Sequence, residues 1–314
     1  MYSCSHYALN LLLDLALKKL LLLLLLATLT LFAKHNIALQ VLGSGGPEMG
    51  DKRASSAYIV WIDGKSKILI DFGSGASLRF EEVNAKISEL DVILLTHLHV
   101  DHTADLPALF KASFFTKAFG KIYIYGPEHN NFMPSTEDFI DRLFKNNKGA
   151  WQYLGDNLDG SARLQFKAHT IYATRKVVSI YKQKDVNIQA VSVHHGPIPA
   201  VAYRVNVGNR SITFSGDMNG DYHALEILAK DTDILVAHNA VPKGSIGVAR
   251  QLHMTPNIIG QISQKAHPKR VLLSHRMLRT LGREKETLLE ISKYYKGSVK
   301  FANDKSYYRI KNSK

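Results

Sequence analysis

THLHVDH (96–102) follows directly on the apolar run DVILL (91–95). The run reads as a buried strand, and the segment leaving it carries His97, His99, Asp101 and His102. A strand alternates faces, so His97 and His99 point the same way, and the turn that follows can bring Asp101 and His102 to a second point nearby. Two nitrogens at one point and a carboxylate with a nitrogen at the other make a donor set suited to zinc. An isolated histidine in such a place is ordinarily a surface residue. Here the metal-type residues end a buried strand, and similar residues recur at later strand ends.

Working outward, IALQVL (37–42) is a short strand that ends in GSGGP (43–47). SSAYIVWI (55–62) and KILIDF (67–72) flank Asp63-Gly64, a hairpin signal, and Gly73 and Gly75 open a helix. Residues 104–118 have helical spacing, and KIYIY (121–125) is a strand. In STEDFIDRLFKN (135–146), Ser135 followed three positions later by Asp138 predicts a capped helix, with Thr136 as the alternative cap. From there to residue 185 the signals weaken, and an ordinary helix with a surface hairpin is expected in preference to a lid or substrate-facing insertion. VNIQAVSV (186–193), AVAYRVNV (200–207) and SITFSGD (211–217) are strands. A helix at about 221–230, the strand DILVA (233–237), a helix over 256–266, the strand RVLLSH (270–275) and a helix near 283–294 complete the chain. Strands that end on metal-type residues, with helices between, occur in both halves. The expected fold is therefore α+β, a four-layer αββα sandwich.

The length of 314 residues allows one large domain or two small ones, and 46% hydrophobic with 21% charged residues excludes a disordered or collagen-like chain. Lys and Arg number 40 against 27 Asp and Glu, a net charge of +13 spread along the chain. That balance suits an anionic substrate, a nucleic acid or an anionic membrane surface, and equally a plain solvated basic surface. Cys4 is the single cysteine, so no disulfide and no cysteine-based metal site can form within the chain. Any transition metal must be held by carboxylates and by some of the 14 histidines. Lys18 and Lys19 precede an uncharged run from Leu20 to Ala33, which resembles a secretory signal peptide and is short for a membrane span of about 20 residues. Asp14 interrupts the apolar stretch before it. Residues 1–33 are expected to be a signal peptide, with an uncleaved N-terminal anchor or a mis-chosen start codon as alternatives. A hydrolase domain over 34–314 would then be periplasmic or secreted.

HLHVDH matches the His-x-His-x-Asp-His signature, and the chain resembles the metallo-β-lactamase superfamily, most closely its ribonuclease Z and arylsulfatase-like branch. GSGGP, LIDFGSG (69–75), HHGPIPAVAYR (194–204), FSGD (214–217) and LLSH (272–275) fall in that family's order, so the resemblance runs from about residue 37 to the end. It implies two divalent metal ions, with zinc as the default and Mn2+ or Fe2+ as alternatives. His97 and His99 would bind the first, joined by a histidine before Gly-Pro; Asp101, His102 and His275 would bind the second; Asp217 would bridge both. Of the adjacent pair, His195 is chosen because it directly precedes Gly196-Pro197, and His194 then points to the opposite side of its strand. A hydroxide held between the metals would attack a phosphorus, sulfur or carbonyl centre, with Asp101 orienting it. His253, in LHMT (252–255), carries over as a general acid, the alternative being a surface histidine that caps a helix. His238 stands near where relatives often carry an acidic residue and is expected behind the ligands. His223 should start a helix, and His35, His129, His169 and His267 should lie on the surface. GSGGP lacks the spacing of a P-loop and reads as a turn.

The resemblance thus implies a hydrolase of a small anionic ester, either a phosphodiester or an aryl sulfate. β-Lactamases of this fold commonly use a cysteine at the second metal, which disfavours that activity here. Glyoxalase II-like thioesterases do not usually carry the GSGGP opening or the HGPxPAxAYR stretch. Bacterial ribonuclease Z normally carries a long basic arm between the third histidine motif and the bridging aspartate, and the interval from His195 to Asp217 has room only for two strands. A nucleic-acid partner is therefore disfavoured, and an arm-less ribonuclease Z-like endonuclease is the alternative. A non-catalytic metal-binding or interaction protein is the alternative of another class. A homodimer is within expectation, and no stable membrane partner is expected beyond the N-terminal anchor.

Overall fold

The structure, a computed structural model, describes residues 13–21 and 35–310. The chain divides into a unit Met1–His35 and a unit Asn36–Lys314. In the first, residues 13–21 are helical and exposed. The apolar run expected as a leader lies, from residue 22 to 33, outside the described residues. Among the described residues no helix is long and apolar enough to cross a membrane.

The second unit holds two seven-stranded sheets. The first is built from β1 (Ile37–Gly43), β2 (Ala57–Ile62), β3 (Lys65–Phe72), β4 (Val92–Leu94), β5 (Gly120–Pro127) and β6 (Leu164–Ile171). The second contains β7 (Val178–Gln183), β8 (Val186–His195), β9 (Ile198–Val207), β10 (Arg210–Phe214), β11 (Ile234–His238), β12 (Arg270–Ser274) and β13 (Ser298–Phe301). The last strand, β14 (Tyr307–Ile310), returns to the first sheet beside β1. Each sheet has an antiparallel half and a parallel half: β3 to β6 run parallel in the first, and β10 to β13 in the second. The hairpin between β2 and β3 turns on Asp63 (φ 52°) and Gly64 (φ 75°). Two successive positive φ values are what a tight two-residue hairpin requires, and Asp-Gly supplies them at low steric cost.

Tyr58, Val60, Ile70 and Leu94 face Val201, Tyr203, Phe214, Val236 and Leu272 in one buried cluster between the sheets. The alternate residues Ile59, Leu69 and Ile93 point the other way, to a helical layer that includes Phe110 and Phe144. On the second sheet Leu235, Val271 and Leu273 do the same against Ile259, Ile262 and Ile291. Both faces of these strands are buried, so they read as nearly continuous apolar runs. The result is the expected αββα sandwich, with the parallel strands delivering their C-terminal ends to one region.

The stretch 126–185 holds the expected helix, and its partly exposed β7 forms an antiparallel hairpin with β8; beyond that expectation it supplies the edge of both sheets, with β6 paired to β5 over eight residues. The helix Gly247–Leu252 and strands β13 and β14 were also not apparent from the pattern. The physical reason is shared by the strands. β7, β13 and β14 are edge strands with mixed burial, so few of their positions have to be apolar. The helix Thr136–Phe144 begins as expected, with Ser135 Oγ accepting from the Asp138 N–H at 3.1 Å.

Phe110, from the helix Leu106–Ser113, is stacked between Phe144 and Phe166, with ring centroids 3.9 Å away on each side. This stack ties two helices to β6. Replacing Phe110 with Ala removes a fully buried ring and should lower the unfolding free energy by about 3–5 kcal/mol. Urea unfolding checks this, and a loss under about 1 kcal/mol would show that the stack does not hold the layer together.

Candidate metal centre

The site is assembled from strand ends. β4 stops at Leu94, and Thr96 is then fixed by Asp71, which accepts from its N–H at 2.7 Å and from its hydroxyl at 2.9 Å. The chain turns at once into the short helix Val100–Thr103, which carries Asp101 and His102. β8 ends on His195, β11 on His238 and β12 one residue before His275, while Asp217 lies three residues beyond β10. Asp71 and His275 both have φ of 53°, a left-handed backbone that costs a non-glycine residue on the order of 1 kcal/mol or more. Two glycines make room. A Cβ on Gly73 would stand 2.0 Å from the Asp101 carbonyl oxygen, and one on Gly46 would stand 2.8 Å from Cε1 of His275. The GSGGP turn therefore abuts the site itself.

Three imidazoles form one group. His97 Nε2 is 3.0 Å from His99 Nδ1, and His195 Nε2 is 3.4 Å from the same atom. A second group brings His275 Nε2 to 3.1 Å from Asp101 Oδ2, with His102 Nε2 at 3.5 Å from that oxygen. Between them lies Asp217. Its Oδ2 is 3.2 Å from His275 Nε2, 3.8 Å from Nε2 of His102 and of His195, and 3.9 Å from His97 Nε2. His253 Nδ1 is 3.7 Å from the same oxygen. All of these residues are buried except His99, which is half-buried.

The rear nitrogens show where the lone pairs point. The Leu252 carbonyl accepts from His195 Nδ1 at 2.8 Å, and Asp71 Oδ2 accepts from His102 Nδ1 at 2.7 Å. The Thr96 hydroxyl, which donates to Asp71, accepts from His97 Nδ1 at 3.2 Å. Each of these histidines therefore directs an unprotonated-capable Nε2 into the cluster, which is how metal-ligating histidines are held. Nε2 of His102 is buried with no hydrogen-bond partner among the described residues. Such an atom needs a cation or a proton, and the donor set fits divalent cations of the zinc type.

The electrostatics agree. Burial disfavours the charged form of His97 and His99 and lowers both, His97 strongly; it pushes His195 down to about 4 and His253 down to about 3. These imidazoles are neutral at pH 7. Burial also opposes charge on His102, but the Asp71 and Asp101 carboxylates outweigh it and raise this histidine well above its usual range. The same contest at His275 is won by Asp217 and Asp101, which bring it up to about 9. Burial opposes ionisation of Asp101 and Asp217 as well, yet neighbouring histidines hold both well below the usual carboxylate range.

All eight residues singled out from sequence, His97, His99, Asp101, His102, His195, Asp217, His253 and His275, thus converge. Within the cluster, ligand-type atoms of His97, His99 and His195 lie within 4.8 Å of one another, as do those of His102, Asp217, His238 and His275. His194 faces the other side of β8, where its Nδ1 accepts from Asn219 Nδ2 at 2.6 Å. His253 follows the helix Gly247–Leu252 but is only 8% exposed, so it is no surface cap. His223 begins the helix Ala224–Leu228; His129, His169 and His267 are exposed, and His35 is half-buried. Sequence reasoning gave no role to Asp71, although an aspartate ending the apolar run KILID was a usable signal.

Comparison with known proteins follows the same residues. A family model described as Anti-Pycsar protein Apyc1 matches residues 37–275, from β1 to the last clustered histidine. Ribonuclease Z of Latilactobacillus sakei subsp. sakei (strain 23K) is 25% identical over 282 residues, 78% of this chain and 88% of that protein. The metallo-β-lactamase fold protein YhfI from Bacillus subtilis superposes with a TM-score of 0.69 at 19% identity, covering 88% of this chain and all (100%) of YhfI. The short form of human tRNase Z superposes with a TM-score of 0.64 at 21% identity, covering 86% and 98%. The expected kinship is borne out: the chain has the metallo-β-lactamase fold and is similar in sequence to ribonuclease Z. It belongs to the Anti-Pycsar protein Apyc1 family.

Proposed function

We propose that this chain hydrolyses a small anionic phosphodiester at a two-cation centre. The observation that carries the reading is the position of Asp217, one of whose oxygens lies 3.2–3.9 Å from imidazole nitrogens of both groups. A single carboxylate oxygen so placed suits a bridge. In this reading His97, His99 and His195 hold one cation, Asp101, His102 and His275 hold the other, and Asp217 serves both. Zinc is the proposed occupant. Divalent cations there supply, when bound, a lowered pKa for water and positive charge against the anionic ester.

The remaining chemistry belongs to the chain's own groups. Asp101 is held ionised and can accept a hydrogen bond from the attacking water, which orients it. His253 is neutral at rest. The negative charge of a bound ester raises the pKa of this imidazole, so that it takes up a proton from solvent; as the imidazolium it can then donate that proton to the leaving oxygen and return to the neutral imidazole. Phosphodiesters are favoured over sulfates by the ribonuclease Z relatives, whose name describes cleavage of RNA. Between His195 and Asp217 the chain consists of β9 and β10 and their short connections, with no arm to grip a large RNA. A small diester is thus the better-suited substrate.

Turnover of bis(p-nitrophenyl) phosphate should exceed that of p-nitrophenyl sulfate. His99→Ala should remove one bound metal equivalent and lower kcat/KM by more than about 100-fold, beyond the loss typical of residues behind a ligand. Turnover of the sulfate alone would contradict the phosphodiester reading, and full activity without bound metal would sink the mechanism. Metal uptake should also depend on pH. His275 carries a proton below about 9, and a cation must displace it, so affinity should rise as the pH is raised towards that value. Titration calorimetry in buffers of different ionisation enthalpy should register proton release at pH 7; uptake without release would contradict the assignment of His275.

A further inference from the structure

The two oxygens of Asp217 have different partners. Oδ2 faces the imidazoles of both groups, whereas Oδ1 lies 2.7 Å from Nδ1 of His238. A carboxylate oxygen can only accept, so Nδ1 of His238 carries the hydrogen. On the far side of the ring, Nε2 is 3.2 Å from the Tyr58 hydroxyl, which is 2.7 Å from Ser274 Oγ. The His238 backbone N–H donates in turn to Ser215 Oγ at 3.1 Å. Tyr58 comes from β2 of the first sheet, while His238 and Ser274 face each other at the ends of β11 and β12 in the second. The chain of hydrogen bonds therefore crosses the core between the sheets. His238 is 2% exposed, and Tyr58 and Ser274 are both at 0%.

We propose that His238 is a positioning residue of the metal centre: its Nδ1–H holds Oδ1 of Asp217, so that Oδ2 alone is presented to the two cations, and Tyr58 with Ser274 fixes the imidazole that does so. The proposal rests on the two-cation reading above. His238 is close enough to His102, Asp217 and His275 to share an ion with them. Its hydrogen-bonding argues for a different role. Nδ1 has no lone pair to give while it donates to Asp217, and Nε2 is turned away towards Tyr58. Loss of this support would let the carboxylate rotate, and a rotated carboxylate no longer places one oxygen between the two groups.

The test uses the full chain, with zinc affinity and stoichiometry measured by competition with a chromophoric chelator. His238→Ala should weaken zinc binding by about 10–100-fold while two ions still bind at saturation. His238→Asn, whose side-chain amide can donate to Oδ1 in place of Nδ1–H, should recover most of that loss. Tyr58→Phe keeps the ring and removes the hydroxyl, so it should cost several-fold and carries the test if His238→Ala does not fold. Histidine 15N spectra of the metal-free parent should show His238 protonated at Nδ1. Zinc affinity within twofold of the parent in both His238→Ala and Tyr58→Phe would overturn the proposal. So would loss of one ion at saturation that His238→Asn does not restore, because His238 would then be a ligand. A parent that binds one zinc ion fails the two-cation reading alone, and the same comparison on that ion still decides the role of His238. A parent that binds none overturns both.

Discussion

Asp101 and Asp217 are ionised carboxylates buried between two sheets, and the rest of the site follows from what it takes to keep them there. An unpaired charge in such surroundings is costly, and it is tolerated when opposite charge and hydrogen bonds surround it. In the metal-free chain the compensation comes from protons on His102 and His275, the two histidines that the carboxylates raise. The other imidazoles of the cluster are driven neutral by burial and keep lone pairs available. On the two-cation reading proposed above, the same geometry is a prepared binding site, with protons as place-holders.

The architecture explains why so many polar groups meet in one place. In each sheet a parallel half lines up the C-terminal ends of its strands, and the sheets stack with those ends together. β3 supplies Asp71, β4 leads to His97 and His99, and β10, β11 and β12 lead to Asp217, His238 and His275. Behind them donors and acceptors hold three of the rings and one carboxylate: Thr96 and Asp71 for His97 and His102, the Leu252 carbonyl for His195, and His238, itself against Tyr58, for Asp217. The apolar strands bury enough surface to hold this polar centre, and the glycines of GSGGP and LIDFGSG let the backbone close around it.

Much of this was legible in the sequence, for identifiable reasons. THLHVDH stands out because a buried strand makes any polar residue at its end conspicuous, and the hairpin at Asp63-Gly64 because few residues accept positive φ. His195, Asp217 and His275 could be placed through the order of motifs along the chain. What was not legible depends on tertiary contact. Asp71 and Tyr58 look like ordinary members of strands until their partners across the fold are known. His253 has the local pattern of a helix boundary, and only packing buries it. The edge strands β7, β13 and β14 leave a weak pattern because solvent covers much of their outer side.

The most direct measurement is diffraction from zinc-loaded crystals of the full chain, recorded on either side of the zinc absorption edge. The account predicts two anomalous peaks, one among His97, His99 and His195 and one among Asp101, His102 and His275, with Oδ2 of Asp217 between them. A single peak, or none at these residues, would contradict it.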